Sequence, residues 1–141
     1  MSAGNDARET NHWAVHEISL TPEATAALSS LAGSLGFDAV RIDLATCSDK
    51  TSFLGRMADT LAFPDWFGQN WDAFFDCLAD LSWRPARGYV LLLEHADTMR
   101  SDAPEALDTA LAILGDAASA WESRGVPFRV FVSTPSPTDS G

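Results

Sequence analysis

The fold and the surface of this chain are constrained most by the stretch FPDWFGQNWDAFFDCLADL (residues 63–81). Between Met57 and Trp83 there are five aspartates and no lysine or arginine. Seven of the fourteen aromatic residues of the chain also fall between Phe63 and Trp83. A segment that is both acidic and aromatic is more typical of a surface that meets a cationic partner than of a helix that serves only the core.

The second half of this stretch predicts an amphipathic helix with Asn70 as its N-cap. One face of that helix is apolar, the opposite face is acidic, and large aromatic side chains stand at the border. The apolar face comprises Phe74, Cys77, Leu78 and Leu81, the acidic face Asp72, Asp76, Ala79 and Asp80, and the border Trp71 and Phe75. Carboxylates four residues apart repel each other by roughly 0.2–0.5 kcal/mol, and local costs of this kind tend to occur at functional sites. The sequence alone leaves open that Asp72, Asp76 and Asp80 form an ordinary solvated face, with or without arginines from elsewhere as partners.

Upstream of the acidic stretch, the sequence predicts a short strand and a helix. Residues 39–44 alternate apolar and polar side chains, as a strand does. Ser48 or Asp49 is the N-cap of the helix that follows, and Pro64 ends that helix. In the loop at residues 65–69, Gly68 is the residue that adopts a positive φ at least cost.

Downstream of it, the pattern indicates two more strands and a long helix. Residues 89–93 form a continuous apolar run, which is typical of a strand covered on both faces. The longest helix begins at Pro104 and ends before Gly125, and residues 128–132 form the last strand. Strands that alternate with helices imply βαβ units and parallel strands, so we expect an α/β fold.

The N-terminal part predicts a weak edge strand and a further helix. Residues 13–19 alternate apolar and polar side chains, and Thr21 and Pro22 mark a helix start that runs on to Gly36. Residues 1–11 and 134–141 are polar and are expected to be disordered. Whether residues 12–38 extend the sheet or form an independent docking element stays open.

Composition and charge narrow the function classes. The chain has 141 residues, a net charge of −11 and a pI near 4.4, which argues against nucleic acid as a direct ligand. It contains no apolar run that would span a membrane and no apolar signal segment. Cys47 and Cys77 have no metal-ligand spacing and are interpreted as reduced, buried thiols of a cytoplasmic protein.

The acidic stretch resembles the barstar family, the intracellular inhibitors of secreted barnase-type ribonucleases. The matching residues are Pro64, Trp66, Phe67, Gly68, Asn70, Asp72, Ala73, Phe75, Asp76, Cys77 and Leu78. The order of strands and helices over residues 39–133 is also similar to that family. The resemblance implies an α/β, barstar-like fold, in which a three-stranded parallel sheet is packed by helices over residues 39–133 and preceded by a strand and helix extension at residues 12–38.

The resemblance further implies an inhibitor rather than an enzyme, without catalytic residues, metal or cofactor. Its partner would be a basic extracellular ribonuclease, and the free protein would be a monomer. Asp76 would enter the active-site cleft in the place of an RNA phosphate, with Asp72 beside it and the rings of Trp66 and Phe67 stacked nearby. The ribonuclease-binding residues implied in this way are Trp66, Phe67, Gly68, Asn70, Trp71, Asp72, Phe75, Asp76, Ala79 and Asp80.

The chain departs from the family pattern at several positions. The family prototype has a glutamate near the end of its long helix that reaches the enzyme, and counting back from Gly125 places Ala120 there. Asp116 or Glu122 is a candidate to replace that glutamate, and the sequence does not decide between them. These departures leave the identity of the target ribonuclease open.

Two other function classes compete with the inhibitor. An enzyme could use Asp72 and Asp76 as an acid/base pair or as metal ligands, with His95 or Glu94 nearby. However, the sequence has no nucleophile motif, no third ligand at helical spacing and no glycine-rich phosphate loop. The other alternative is an acidic interaction or immunity module that binds a different basic protein or toxin.

Overall fold

The computed structural model describes residues 14–65 and 67–133. The disorder predicted for residues 1–11 and 134–141 lies outside the described residues, as does the role expected of Trp66. None of the helices in the described part of the chain is long and apolar enough to cross a membrane.

The architecture is α/β, as the sequence predicted. In chain order the elements are β1 (Val15–Ile18), α1 (Pro22–Ser34), β2 (Asp38–Asp43), α2 (Lys50–Leu61), α3 (Trp71–Asp80), β3 (Tyr89–Glu94), α4 (Asp97–Asp102), α5 (Pro104–Glu122) and β4 (Phe128–Ser133). The strands form one parallel sheet in the order β1-β4-β3-β2. The N-terminal extension therefore contributes a fourth strand at the edge of the expected three-stranded sheet, which answers the question that the sequence left open.

The sheet separates two layers of helices. On one face, alternate residues of β2, β3 and β4 pack against α2, α3, α4 and α5 in the main core, with Phe53, Phe74 and Phe128 fully buried. On the other face, α1 covers β2 and β3, where Ala32 packs against Val90 and Leu92. Since α3 and α1 lie on opposite faces of the sheet, the acidic helix and the N-terminal extension present separate surfaces.

Capping side chains set the starts of α2 and α3. Asp49 rather than Ser48 caps α2, and the Ser52 hydroxyl accepts a hydrogen bond from the Asp49 backbone in return. Asn70 caps α3 as predicted, because its side-chain oxygen accepts a hydrogen bond of 2.8 Å from the backbone N–H of Ala73. Helix α2 ends at Leu61, because the next residue, Ala62, adopts a left-handed conformation. This end lies two residues before the position that directly precedes Pro64.

Helix α4 was not expected from the sequence. It has only six residues, and its N-cap Ala96 makes no side-chain capping hydrogen bond. A single buried residue, Met99, anchors it. An element of this length shows no helical period in the sequence, so pattern analysis does not find it.

Buried polar groups of two tryptophans tie the helices to one another. The indole N–H of Trp121, on α5, donates a hydrogen bond of 2.8 Å to the backbone oxygen of Leu78 on α3. The indole N–H of Trp83 donates a hydrogen bond of 3.0 Å to the backbone oxygen of Leu61, at the end of α2. Because a buried hydrogen bond is costly to break, these contacts hold α3 in position between α2 and α5.

We expect Phe74→Ala or Leu78→Ala to lower the free energy of unfolding by about 2–5 kcal/mol, since both side chains are fully buried. Urea unfolding followed by circular dichroism measures this loss. Phe75→Ala is the matched control, because Phe75 is only half-buried and should cost less. A Phe74→Ala variant as stable as the wild type would contradict the core position of this helix face.

Candidate functional site

The apolar face of helix α3 is buried and its acidic face is exposed, as the sequence predicted. Phe74, Cys77 and Leu78 are buried in the core, whereas Asp72, Asp76 and Asp80 are exposed. The burial of the apolar face decides the direction of the acidic face, because side chains three and four residues apart share one side of a helix. The three aspartates thus point into solvent from a rigid element.

Aromatic rings hold the loop that precedes α3 against the core. Phe63 is the centre of this contact, with ring-centroid distances of 4.9 Å to Phe67, 6.2 Å to Trp83 and 6.4 Å to Phe74. Phe67 is half-buried in consequence, so part of its ring packs inward and part faces solvent. The loop is therefore fixed by packing, although its tip at residues 68–70 is exposed.

The left-handed residue of this loop is Gln69, with φ of 56°, and not Gly68 as the sequence indicated. A non-glycine residue in this region stores roughly 1–2 kcal/mol of strain. Gly68 does not have a positive φ, and a Cβ built on it would make a tight contact of 3.2 Å with the side-chain nitrogen of the cap residue Asn70. The sequence could not tell which residue of the loop has a positive φ.

A groove of about 590 Å³ runs between α3 and α5. Its lining consists of Trp71, Asp72, Phe75, Asp76, Ile113 and Asp116. Three of these side chains are apolar and three are carboxylates, so the groove combines hydrophobic contact area with negative charge. The structure thereby brings together four of the predicted site residues, Trp71, Asp72, Phe75 and Asp76, and adds two from α5.

Sequence reasoning had not placed the α5 residues of this groove. Ile113 was missed because it lies beside the buried stripe of α5 and not within it. Asp116 was one of two candidates to replace the glutamate of the family, and it is exposed at the groove. The other candidate, Glu122, forms an ion pair of 2.7 Å with Arg129 instead.

Five predicted site residues of the described chain lie outside the groove lining: Phe67, Gly68, Asn70, Ala79 and Asp80. Ala79 is half-buried and Asp80 is exposed, one turn after the groove-lining part of α3. The carboxylate of Asp80 accepts a hydrogen bond of 3.3 Å from the hydroxyl of Ser82. Gly68 and Asn70 lie at the exposed loop tip before the helix.

In the part of the chain that the structure describes, no positively charged side chain is bound to the carboxylates of the groove. Within residues 14–65 and 67–133, no ion pair involves Asp72, Asp76, Asp80 or Asp116, because the arginines that form ion pairs do so elsewhere. Lys50 approaches the site, but its ammonium group lies over the ring of Trp71, 5.4 Å from the centroid. Within the described residues, the aspartates of α3 are therefore solvated without an arginine partner.

The residues that the enzyme hypothesis requires are engaged outside the groove. The ring of His95 lies 2.9 Å from the carboxylate of Asp43, and Glu94 forms an ion pair of 2.7 Å with Arg41. The backbone N–H of Ala45 and then the His95 ring hold the pKa of Asp43 below its usual value. In the described ranges, no three His, Cys, Asp or Glu side chains are grouped closely enough to hold a metal ion. The chemistry that the groove offers is the binding of a cationic group between carboxylates and apolar walls.

Comparison with known proteins agrees with the resemblance seen in the sequence. The family model described as Barstar (barnase inhibitor) matches residues 37–133, which is more than half of the chain. A comparison with curated proteins found no match. The matched region contains the groove and all of the predicted site residues.

The buried thiol of Cys77, on the inner side of α3, offers a test of this helix. Burial, and after it the negative charges of Asp76 and Asp80, raise the pKa of Cys77 to about 11. Little thiolate is then present near pH 8, so we expect iodoacetamide to alkylate the native protein slowly and the unfolded protein rapidly.

Mass spectrometry of a Cys47→Ser variant isolates the thiol of Cys77 in this experiment. Native-state alkylation of Cys77 at the rate of the unfolded chain would show that this face of α3 is accessible, contrary to the structure.

Proposed function

This chain belongs to the barstar family, and from its acidic groove we propose that it inhibits a basic, barnase-type ribonuclease by occupying the active-site cleft of that enzyme. The observation that carries the proposal is the set of three exposed carboxylates, Asp72, Asp76 and Asp116, around one groove with aromatic walls. Among residues 14–65 and 67–133 none of the three forms an ion pair. The family is described as that of the barnase inhibitor, which supports the same partner class.

The chemistry of such an enzyme fits this surface. A cleft that binds RNA holds cationic donors in fixed positions for phosphate groups. A carboxylate on a rigid helix offers those donors the same charge and acceptor oxygens, so Asp76 can take the place of a phosphate. Asp72 lies one turn away on the same face and meets a neighbouring donor. Since the carboxylates have no ion pairs to break in the described residues, binding does not disrupt contacts inside the inhibitor.

The aromatic residues give the interface its apolar part. Trp71 and Phe75 are half-buried, so they contribute contact area while their position is held by the core. Such preorganised aromatic side chains lose little entropy on binding. In the proposed complex Phe67 and the exposed loop tip at residues 68–70 cover the rim of the cleft. Charge complementarity then accelerates association, an effect for which the barnase–barstar pair is itself a standard example.

The proposal includes the place of action. An inhibitor of a secreted ribonuclease protects the cell that makes the enzyme when it acts in the cytoplasm. The buried, reduced thiols of Cys47 and Cys77 are compatible with that compartment.

The test of this function is a titration into a basic barnase-type ribonuclease at low and high salt. We expect stoichiometric inhibition that weakens as salt screens the charges. We expect Asp76→Asn to weaken binding by at least roughly 2 kcal/mol, or about thirtyfold, as a central interface residue does. Its thermal stability should equal or exceed that of the wild type, because a like-charge contact is removed.

Glu105→Gln is the matched control for Asp76→Asn. Glu105 is exposed in the first turn of α5, about 16 Å along the helix from Asp116, and its substitution removes the same unit of charge. Equal losses of inhibition in both variants would mean that inhibition depends on the net charge of the protein and not on the position of Asp76. Unfolding of the Asp76→Asn variant would mean that this carboxylate is structural.

A second prediction decides which acidic residue of α5 contacts the enzyme. We expect Asp116→Asn to weaken inhibition by about 1 kcal/mol or more, since Asp116 lines the groove. Glu122→Gln should leave inhibition unchanged, because Glu122 is held by Arg129. Inhibition constants of the two variants provide the measurement, and the reverse order would contradict the assignment of the groove.

A further inference from the structure

Helix α1 presents an apolar face to solvent. Leu31 is 60% exposed and Leu35 is 55% exposed. Within residues 14–65 and 67–133, the one other large apolar residue that is exposed is Ile18, at 39%. All three residues precede residue 37, where the family match begins. This surface therefore belongs to the N-terminal extension and not to the acidic site.

This face of α1 is also nearly free of charge. Glu23 is the only charged residue between Pro22 and Ser34, in a chain with a net charge of −11. The other exposed residues of the helix include the small side chains of Ala27 and Ser30. Small residues beside leucines let two helices pack closely. Two copies of this acidic protein repel each other over most of their surfaces, and a contact at the nearly uncharged α1 adds least to that repulsion.

The two ends of α1 carry opposite charges. Glu23 is exposed in the first turn. At the other end, the side chain of Arg87 lies against Gly36, the second residue after the helix, and no ion pair of Arg87 occurs within the described ranges. A helix of this length separates the two ends by about 20 Å.

A groove lies beside the C-terminal end of α1, where its lining includes Gly36. It measures about 450 Å³, and its lining includes Phe37, Trp83 and Pro85. The charged residues of the groove, Arg84 and Asp38, neutralise each other in an ion pair of 2.7 Å. The end of α1 therefore offers a partner the exposed side chain of Leu35 and the guanidinium of Arg87.

We propose that a second copy of this chain docks on α1, with the two α1 helices antiparallel about a two-fold axis. In this arrangement Glu23 of each copy meets Arg87 of the other, so the charges at the two ends are complementary. Leu31 and Leu35 of each copy pack over the small residues of the facing helix. The contact is isologous, as in most symmetric dimers.

The proposed dimer leaves the acidic groove free. Helix α1 covers the face of the sheet opposite α3, so a copy docked on α1 does not cover Asp72 or Asp76. Each dimer would carry two acidic grooves on its outer sides. This arrangement departs from the free monomer that the sequence led us to expect, and it does not depend on which partner the groove binds.

The test is sedimentation equilibrium of the full chain over a wide concentration range at low and high salt. We expect a reversible monomer–dimer equilibrium that strengthens with salt, because salt screens the repulsion between two acidic copies. The Leu31→Asp/Leu35→Asp variant should be monomeric. Its thermal melt shows whether the fold is retained, as expected for two exposed positions.

A charge exchange tests the antiparallel arrangement. Glu23→Arg alone places two arginines at each contact and should weaken the dimer at least tenfold, as should Arg87→Glu alone. The double variant Glu23→Arg/Arg87→Glu keeps the net charge of the wild type and should restore the dimer. Because the double variant retains any cost of Glu23→Arg within α1, recovery isolates the contact between copies.

Three results would overturn the proposal. The first is a wild-type protein that stays monomeric at every concentration and salt. The second is a dimer that the two leucine substitutions leave intact, which would place the contact elsewhere. The third is a double charge variant no stronger than the single ones, which would exclude the antiparallel pairing.

Discussion

The acidic site depends on the burial of Phe74, Cys77 and Leu78, the inner face of α3, and on the packing of this helix against α5. The burial orients α3, and the hydrogen bond from Trp121 to the Leu78 backbone fixes that helix against α5. The groove between α3 and α5 is a direct consequence, and so is the exposure of Asp72 and Asp76 within it. A helix with a weaker apolar face would tolerate the repulsion between these aspartates less well, because the core contacts offset that local cost.

In the loop before α3, as in the helix, buried side chains hold the backbone in place and other residues are exposed to a partner. The ring of Phe63 packs against the rings of Phe67, Phe74 and Trp83, so these contacts fix the loop against the core. The strained backbone of Gln69 and the cap made by Asn70 then shape its exposed tip. Strain of this kind persists only where the surrounding structure holds it. The tip is therefore preorganised before any partner arrives.

Periodicity in the sequence was enough to predict the strands β2, β3 and β4 and the four longer helices to within one or two residues at most ends. It also identified both faces of α3, because burial of Phe74 and Leu78 follows directly from their spacing. Periodicity did not predict the contacts between elements that are far apart in the sequence. The proximity of Asp116 to Asp76 and the ion pair of Glu122 with Arg129 depend on how α5 packs, which no local pattern encodes. The left-handed Gln69 escaped it because a neighbouring glycine was the simpler choice.

The central claim is that the carboxylates around the groove bind the cationic groups with which the active site of the ribonuclease binds RNA. Competition tests this most directly: binding of the protein to a catalytically inactive variant of the ribonuclease is measured by calorimetry, with and without a saturating nucleotide in the active site. The account predicts that the nucleotide lowers the apparent affinity in proportion to its own occupancy, since both ligands need the same cationic groups. Unchanged affinity, with a ternary complex of enzyme, nucleotide and this protein, would contradict the account and leave an acidic module that binds its partner at another surface.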